Sequence, residues 1–264
     1  MEGIRLPAGI EKEIRGERFR EETIGASGAR VLIGEETVLK IGPAGEESER
    51  EARILAWLEG KLSAPRLLAR EEAEGMAYTL MTRVKGRMLC DPCYLRDPQL
   101  LTRLLVQALE QLAAIGTEDC PADRGLDTAL AEARRRVERG LVDPMTCEPG
   151  TFGLRGFRDP AALLAWLETN RPEEEPCFTH GDLCLPNILA EGERLSGFID
   201  CAGMGIADRW QDLALCLRSL RKNLGGAYGG PVYGGYDPGR LLGALGLTPD
   251  AEKNRYYLLL DELS

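Results

Sequence analysis

The chain has 264 residues, 44% apolar and 29% charged, with a formal net charge of −10. That length supports one large domain or a two-lobed unit with a shared cleft, and the composition is that of a soluble globular protein. The acidic excess argues against a binder of nucleic-acid phosphates; it would attract cations, but on composition alone its ordinary role is solubility. A run of about 18 apolar residues, as a membrane span needs, is absent, and so is the apolar core of a secretory signal in Met1 to Arg20; a cytoplasmic protein is expected.

Residues 6–16 mix charged and apolar side chains in the manner of a short helix. Glu21-Glu22-Thr23-Ile24, the small-residue turn Gly25-Ala26-Ser27-Gly28, Arg30-Val31-Leu32-Ile33 and Thr37-Val38-Leu39-Lys40-Ile41 read as an antiparallel meander. Ile54, Leu55, Trp57 and Leu58 on a charged background predict an amphipathic helix over 46–60, stopped by Gly60. Met76 to Met81 is a further strand, and Arg83-Val84-Lys85-Gly86 is a linker. Residues 1–81 thus form a small, mainly β lobe with one helix. From about residue 96 the spacing turns helical, through Leu100, Leu101, Leu104, Leu105, Ala108 and Leu112, and then over 126–140, 159–169, 209–223 and 250–263. The segments 143–158 and 225–239 read as loops. The eight cysteines are scattered and are expected as free thiols. Cys90 and Cys93 form a lone CxxC in a chain with one histidine, which suits a loop at Asp91-Pro92 better than zinc.

The segment with most chemical content is His180-Gly181-Asp182-Leu183-Cys184-Leu185-Pro186-Asn187, followed by Phe198-Ile199-Asp200. Phosphoryl transfer needs a carboxylate near the attacking hydroxyl and oxygen ligands for magnesium. Asp182 suits the first role. Asn187, five residues on, and Asp200, at the end of a strand Leu195–Ile199, suit the second. His180 is expected as a buried scaffold of this loop. In the first lobe Lys40 interrupts an apolar strand, and Glu51 follows 11 residues later on the next helix. A kinase lysine holds the α/β-phosphates and a helix glutamate holds the lysine. Glu46, Glu47 and Glu49 are equally acidic neighbours. The turn Gly25–Gly28 offers backbone N–H groups and Ser27 to phosphates, and equally reads as a plain hairpin turn.

Lys40, Glu51, Asp182, Asn187 and Asp200, with the stretches Trp57–Leu62, Phe178–Asp182, Ser196–Asp200, Ala207–Ala214, Leu217–Leu220 and Tyr256–Leu263, resemble the bacterial aminoglycoside phosphotransferases, in particular the 3′-phosphotransferase branch. The resemblance implies an α+β, bilobal, protein-kinase-like fold: an N-terminal nucleotide-binding lobe (1–81), a hinge (82–86) and a C-terminal catalytic and substrate-binding lobe (87–264). It implies ATP as donor, with GTP as the alternative, and two Mg2+ ions. By position, Thr82 and Val84 offer backbone groups to adenine after Met81, Val38 covers the base and Ser27 lies over the phosphates. Arg218 shapes an acidic substrate site. Asp182, Glu148, Asp261, Glu262 and the Ser264 carboxylate meet the ammonium groups of the antibiotic. The chain is then a monomer or weak homodimer with no nucleic-acid or membrane partner.

The sequence departs from the family pattern at Gly203 and Asn223, in the apolar stretch Ala202–Ile206, and in the few acids of Glu148–Arg155, which bear on substrate range. The alternatives are a kinase of the same fold for a choline-like, homoserine-like or macrolide acceptor, and a non-catalytic nucleotide-binding protein. The chain lacks the A-P-E segment and long activation loop of a protein kinase.

Overall fold

Alternation along a central strand sets up the first sheet. In β3 (Thr37–Pro43) Leu39 and Ile41 are buried, and Lys40 between them projects from the opposite face, as the two-residue repeat of a strand requires. The computed structural model describes residues 6–14, 16–22, 29–234 and 236–264. In it β3 lies between β2 (Arg30–Ile33) and β5 (Met76–Thr82) of an antiparallel sheet ordered β1-β2-β3-β5-β4, with β1 (Arg20–Glu22) and β4 (Leu67–Ala73) at its edges. Helix α1 (Ala8–Glu13) covers one face: Ile10 and Ile14 pack with Leu32, Leu39, Ile41, Tyr78 and Leu80. The N–H of Ile10 donates to Oε1 of Glu71 on β4 at 2.8 Å. Helix α2 (Glu46–Leu58) buries Glu51, Ile54, Leu55 and Leu58, and brings Glu51 to the face from which Lys40 projects.

The strands at 30 and 37, the strand at 76 and the expected helices form where the sequence places them, while residues 23–28 of the expected meander lie outside the described residues and the short helices at 92–95 and 239–244 were not expected. β4 is an addition. Its Leu-Leu-Ala-Arg-Glu-Glu-Ala carries three charges and hides its strand character, which an edge position tolerates.

The chain divides into two compact units, one running to Met88 and resuming over Asn187–Gly203, the other made of Leu89–Pro186 and Met204–Ser264. The return of 187–203 to the first unit is a matter of backbone pairing. β6 (Arg87–Met88) pairs with β8 (Ile188–Glu191), β8 with β9 (Arg194–Phe198), and the N–H of Phe198 donates to the Ser63 carbonyl at 2.9 Å. A division by chain order misses this excursion because the pairing is non-local.

The second unit is mainly helical. It contains α3 (Pro92–Leu95), α4 (Pro98–Ala113), α5 (Leu126–Glu138), α6 (Pro160–Thr169), α7 (Arg209–Leu224), α8 (Gly239–Ala244) and α9 (Ala251–Asp261). A two-stranded pair, β7 (Pro176–Thr179) with β10 (Gly205–Asp208), completes it. α7 is buried almost all round, the pattern of a core helix. Its N-cap, Asp208, accepts the N–H of Trp210 at 2.8 Å and is fully buried, so it needs a counter-charge. Lys253 of α9 supplies one, with Nζ 3.0 Å from Asp208 Oδ2, and fastens α9 along α7. Asp91 caps α3 by accepting the N–H of Cys93 at 2.9 Å, so the CxxC stretch forms a capped turn. No helix among the described residues is long and apolar enough to cross a membrane.

Candidate active site

The first unit assembles a cation between two carboxylates. Lys40 Nζ lies 3.2 Å from both oxygens of Glu51 and 3.1 Å from Asp200 Oδ1. Burial pulls the ammonium pKa down, but Glu51 and Asp200 together outweigh it, and the pKa lies above the ordinary lysine value. Burial likewise raises the Glu51 carboxyl, against the pull of Lys40. Of the acids on α2, Glu51 is buried while Glu46, Glu47 and Glu49 are exposed, which separates the lysine partner from a solvated face.

Asp200 takes a left-handed backbone, φ 59°, rare for a residue with a side chain and common where a site constrains the chain. The structure around it is tied down on both sides. The N–H of Ile199 donates to the Asn187 carbonyl at 3.0 Å, joining the strand end to the second candidate metal ligand. After Asp200 the chain makes a 3-10 turn, Cys201–Gly203, and Arg50 Nε of α2 donates to the Ala202 carbonyl at 2.9 Å.

Val38 and Met81 are directly opposed across β3 and β5, as are Lys40 and Thr79, so all four project from one face of the sheet. A recess of about 250 Å³ beside Lys40 and Glu51 is lined by Thr79, Ala44 and Gly45 among others. Thr82 donates its N–H to the Arg66 carbonyl at 2.9 Å. Thr82 and Val84 line an open groove with Ser63 and Ser196. Ser27 and its turn lie outside the described residues.

In the second unit the loop that carries Asp182 is held by a residue without an assigned role in the sequence. Asp212, in the first turn of α7, accepts the N–H of His180 at 2.7 Å and of Gly181 at 2.9 Å. Burial pushes its carboxyl pKa up to about 6, opposed by His180 and these two N–H groups. His180 is fully buried, and its Nδ1 accepts the Asp182 N–H at 3.3 Å, the scaffold role expected of it. Gln211 Nε2 donates to the Gly181 carbonyl at 3.3 Å. Asp182 itself is exposed, and the Cys184 thiol donates to its Oδ1 at 3.0 Å. One signal for Asp212 exists in the sequence: an acid opening the otherwise apolar run Leu213-Ala214-Leu215-Cys216-Leu217.

The expected antibiotic-side residues gather in the same unit. Arg218 pairs with Asp261, and its other nitrogen is 4.0 Å from Glu262 Oε1. The Glu148 N–H donates to Glu262 Oε2 at 3.0 Å, and Ser264 Oγ donates to the Asp261 carbonyl at 2.7 Å. Arg136 Nε donates to the Leu263 carbonyl at 3.1 Å, so these acids sit on an anchored segment. Burial raises the Asp261 carboxyl pKa, Arg218 opposes this, and the charge of Asp182 adds to the rise. Lys222, absent from the sequence expectation, is seated on Glu148.

Comparison with known proteins agrees with this assembly. The sequence profile of the phosphotransferase enzyme family matches residues 19–245. An aminoglycoside 3′-phosphotransferase of Enterococcus faecalis is 35% identical over 274 aligned positions that cover all of both chains. Among solved structures, aminoglycoside-3′-phosphotransferase of type VIII superposes with a TM-score of 0.77 at 28% identity, covering 97% of each chain. Aminoglycoside phosphotransferase APH(3″)-Id of Streptomyces rimosus gives 0.79 at 25% identity, covering 96% of this chain and 95% of its own. The fold is the α+β, kinase-like architecture of these enzymes.

Proposed function

The chain belongs to the phosphotransferase enzyme family, and from that premise we propose that it is an aminoglycoside 3′-phosphotransferase, moving the γ-phosphate of ATP to the 3′-hydroxyl of kanamycin-like antibiotics and so conferring resistance. One observation carries the choice of acceptor: Glu148, Asp261 and Glu262 converge around Arg218 in the unit that also carries Asp182. An acceptor with several ammonium groups needs several such partners, more than a choline-like, homoserine-like or macrolide acceptor with a single ammonium group calls for.

In this reading Asp182 orients the acceptor hydroxyl and takes its proton. Its loop is held in place before substrate arrives, by Asp212 and His180 from below and by the Cys184 thiol at the carboxylate. Lys40 exchanges its contact with Asp200 for the α/β-phosphates of the nucleotide while Glu51 keeps hold of it. Val38 and Met81 pack on the base, and Thr82 and Val84 offer it backbone groups. Asn187 and Asp200 supply an amide oxygen and a carboxylate, the hard donors that suit magnesium completed by phosphate oxygens. Two such ions would neutralise charge on the transferring group. Positioning and electrostatics supply most of the rate enhancement. Residues 1–81 serve as the nucleotide-binding lobe, 82–86 as the hinge and 87–264, apart from the excursion 187–203 that belongs with the first unit, as the catalytic and substrate-binding lobe of a cytoplasmic monomer or weak homodimer.

The test is ADP release from Mg-ATP with kanamycin and with tobramycin, which lacks the 3′-hydroxyl. Strong turnover with kanamycin and little with tobramycin is expected. Equal turnover moves the target hydroxyl to another ring position, as the likeness to the Streptomyces rimosus enzyme allows. No turnover with either, while ATP binds, overturns the choice of acceptor. Asp182→Ala is expected to abolish transfer and leave nucleotide binding intact; unchanged turnover would sink the mechanism.

A further inference from the structure

Arg218 and Lys222 are four residues apart on α7 and share one face of its last turns. Arg218 engages Asp261 and Glu262, and Lys222 Nζ is in contact with Glu148 Oε1. The Glu148 N–H bonds to Glu262, so the three acids form one cluster with two cations of the chain already on it.

The two cations differ in kind. Arg218 is largely buried and reaches two acids with its planar fork, which makes it a fixed part of the cluster. Lys222 is a point charge on a flexible stem, with 34% of its side chain exposed, held by a single acid that is exposed to the same extent. A lysine ammonium is also chemically what an aminoglycoside presents.

We propose that Lys222 is a specificity-determining residue: a tethered stand-in that occupies Glu148 and must swing away before that carboxylate takes a substrate amine. This rests on the aminoglycoside reading above. On that reading the chain gives up part of the affinity that Glu148 offers, most of all for antibiotics that place an amine there. Lys222→Met frees the carboxylate.

The experiment is calorimetric titration of kanamycin into the full-length wild type, Lys222→Met, Glu148→Gln and the double variant, with Lys222→Gln as a polar replacement that guards against altered solubility. Lys222→Met and Lys222→Gln are expected to tighten kanamycin binding roughly 2- to 5-fold, the scale of an exposed ion pair. In the Glu148→Gln background the same changes are expected to do nothing, since the partner is gone. Unchanged or weaker binding overturns the proposal, and so does tightening that persists without Glu148, which would report general charge only. Binding does not require turnover. An inactive wild type whose Lys222 variants still bind more tightly therefore counts against the proposed reaction and for this role of Lys222. Absence of kanamycin binding in every variant overturns both.

Discussion

At the scale of single residues, the loop that carries Asp182 depends on side chains outside the nominated site. Asp212 accepts two successive backbone N–H groups, and its removal would leave both unsatisfied in a buried place. Its carboxyl has a pKa of about 6 against an ordinary 3.8, with burial as the leading cause. The folded chain therefore binds more protons than the unfolded chain between pH 3.8 and about 6. The contribution of Asp212 to stability falls as pH rises through that window and is level above it. Asp212→Asn is expected to be less stable than wild type and to lack this slope, as melting temperatures across the window would show. The Cys184 thiol makes a second such contact, with Oδ1 of Asp182. Cys184→Ala is expected to lower kcat about 3- to 10-fold, the loss of one hydrogen bond from a weak thiol donor, with Cys184→Ser restoring most of it. Equal kcat in all three proteins would show that the thiol does not position Asp182.

At the scale of elements, the β8–β9 hairpin delivers Asp200, and one glycine permits it. Gly197 has φ 149°, and a Cβ there would stand 2.3 Å from the Ser63 carbonyl oxygen that receives the Phe198 N–H. Gly197→Ala is expected to destabilise the protein by about 2 kcal/mol or more and to raise the KM for ATP, because the strand end that carries Asp200 must move. Thermal unfolding and nucleotide kinetics test both halves. α7 acts as the common support in the second unit. Its first turn holds the Asp182 loop through Asp212, and its last turns hold the acid cluster through Arg218 and Lys222. The i, i+4 spacing that puts Arg218 and Lys222 on one face was in the sequence, but the acids they meet were not predictable from it.

At the scale of the whole molecule, a net charge of −10 draws polycations and repels nucleotide phosphates that arrive without their metal. Added salt screens exposed charges beyond a Debye length of about 10 Å at 0.1 M. The KM for kanamycin is therefore expected to rise several-fold between low and about 0.3 M salt, and the KM for Mg-ATP much less. A KM for kanamycin indifferent to salt would mean that the acidic surface does not contribute to drawing the antibiotic in.

The sequence by itself determined the reaction chemistry and the run of elements. Lys40, Asp182, Asn187 and Asp200 could be nominated because phosphoryl transfer calls for those residue types and the last three stand in a short ordered run, and the helices were legible because burial of one face imposes a repeat. Glu51 was legible only through resemblance, since three exposed acids precede it on α2, and burial alone singles it out. Tertiary structure decided the rest. It returned residues 187–203 to the first unit by strand pairing, set Asp212 against backbone groups more than 30 positions away, and placed Lys222 on Glu148. Backbone N–H groups are alike in every sequence and surface charges are interchangeable in composition. Which of them meet is fixed only when the chain has folded.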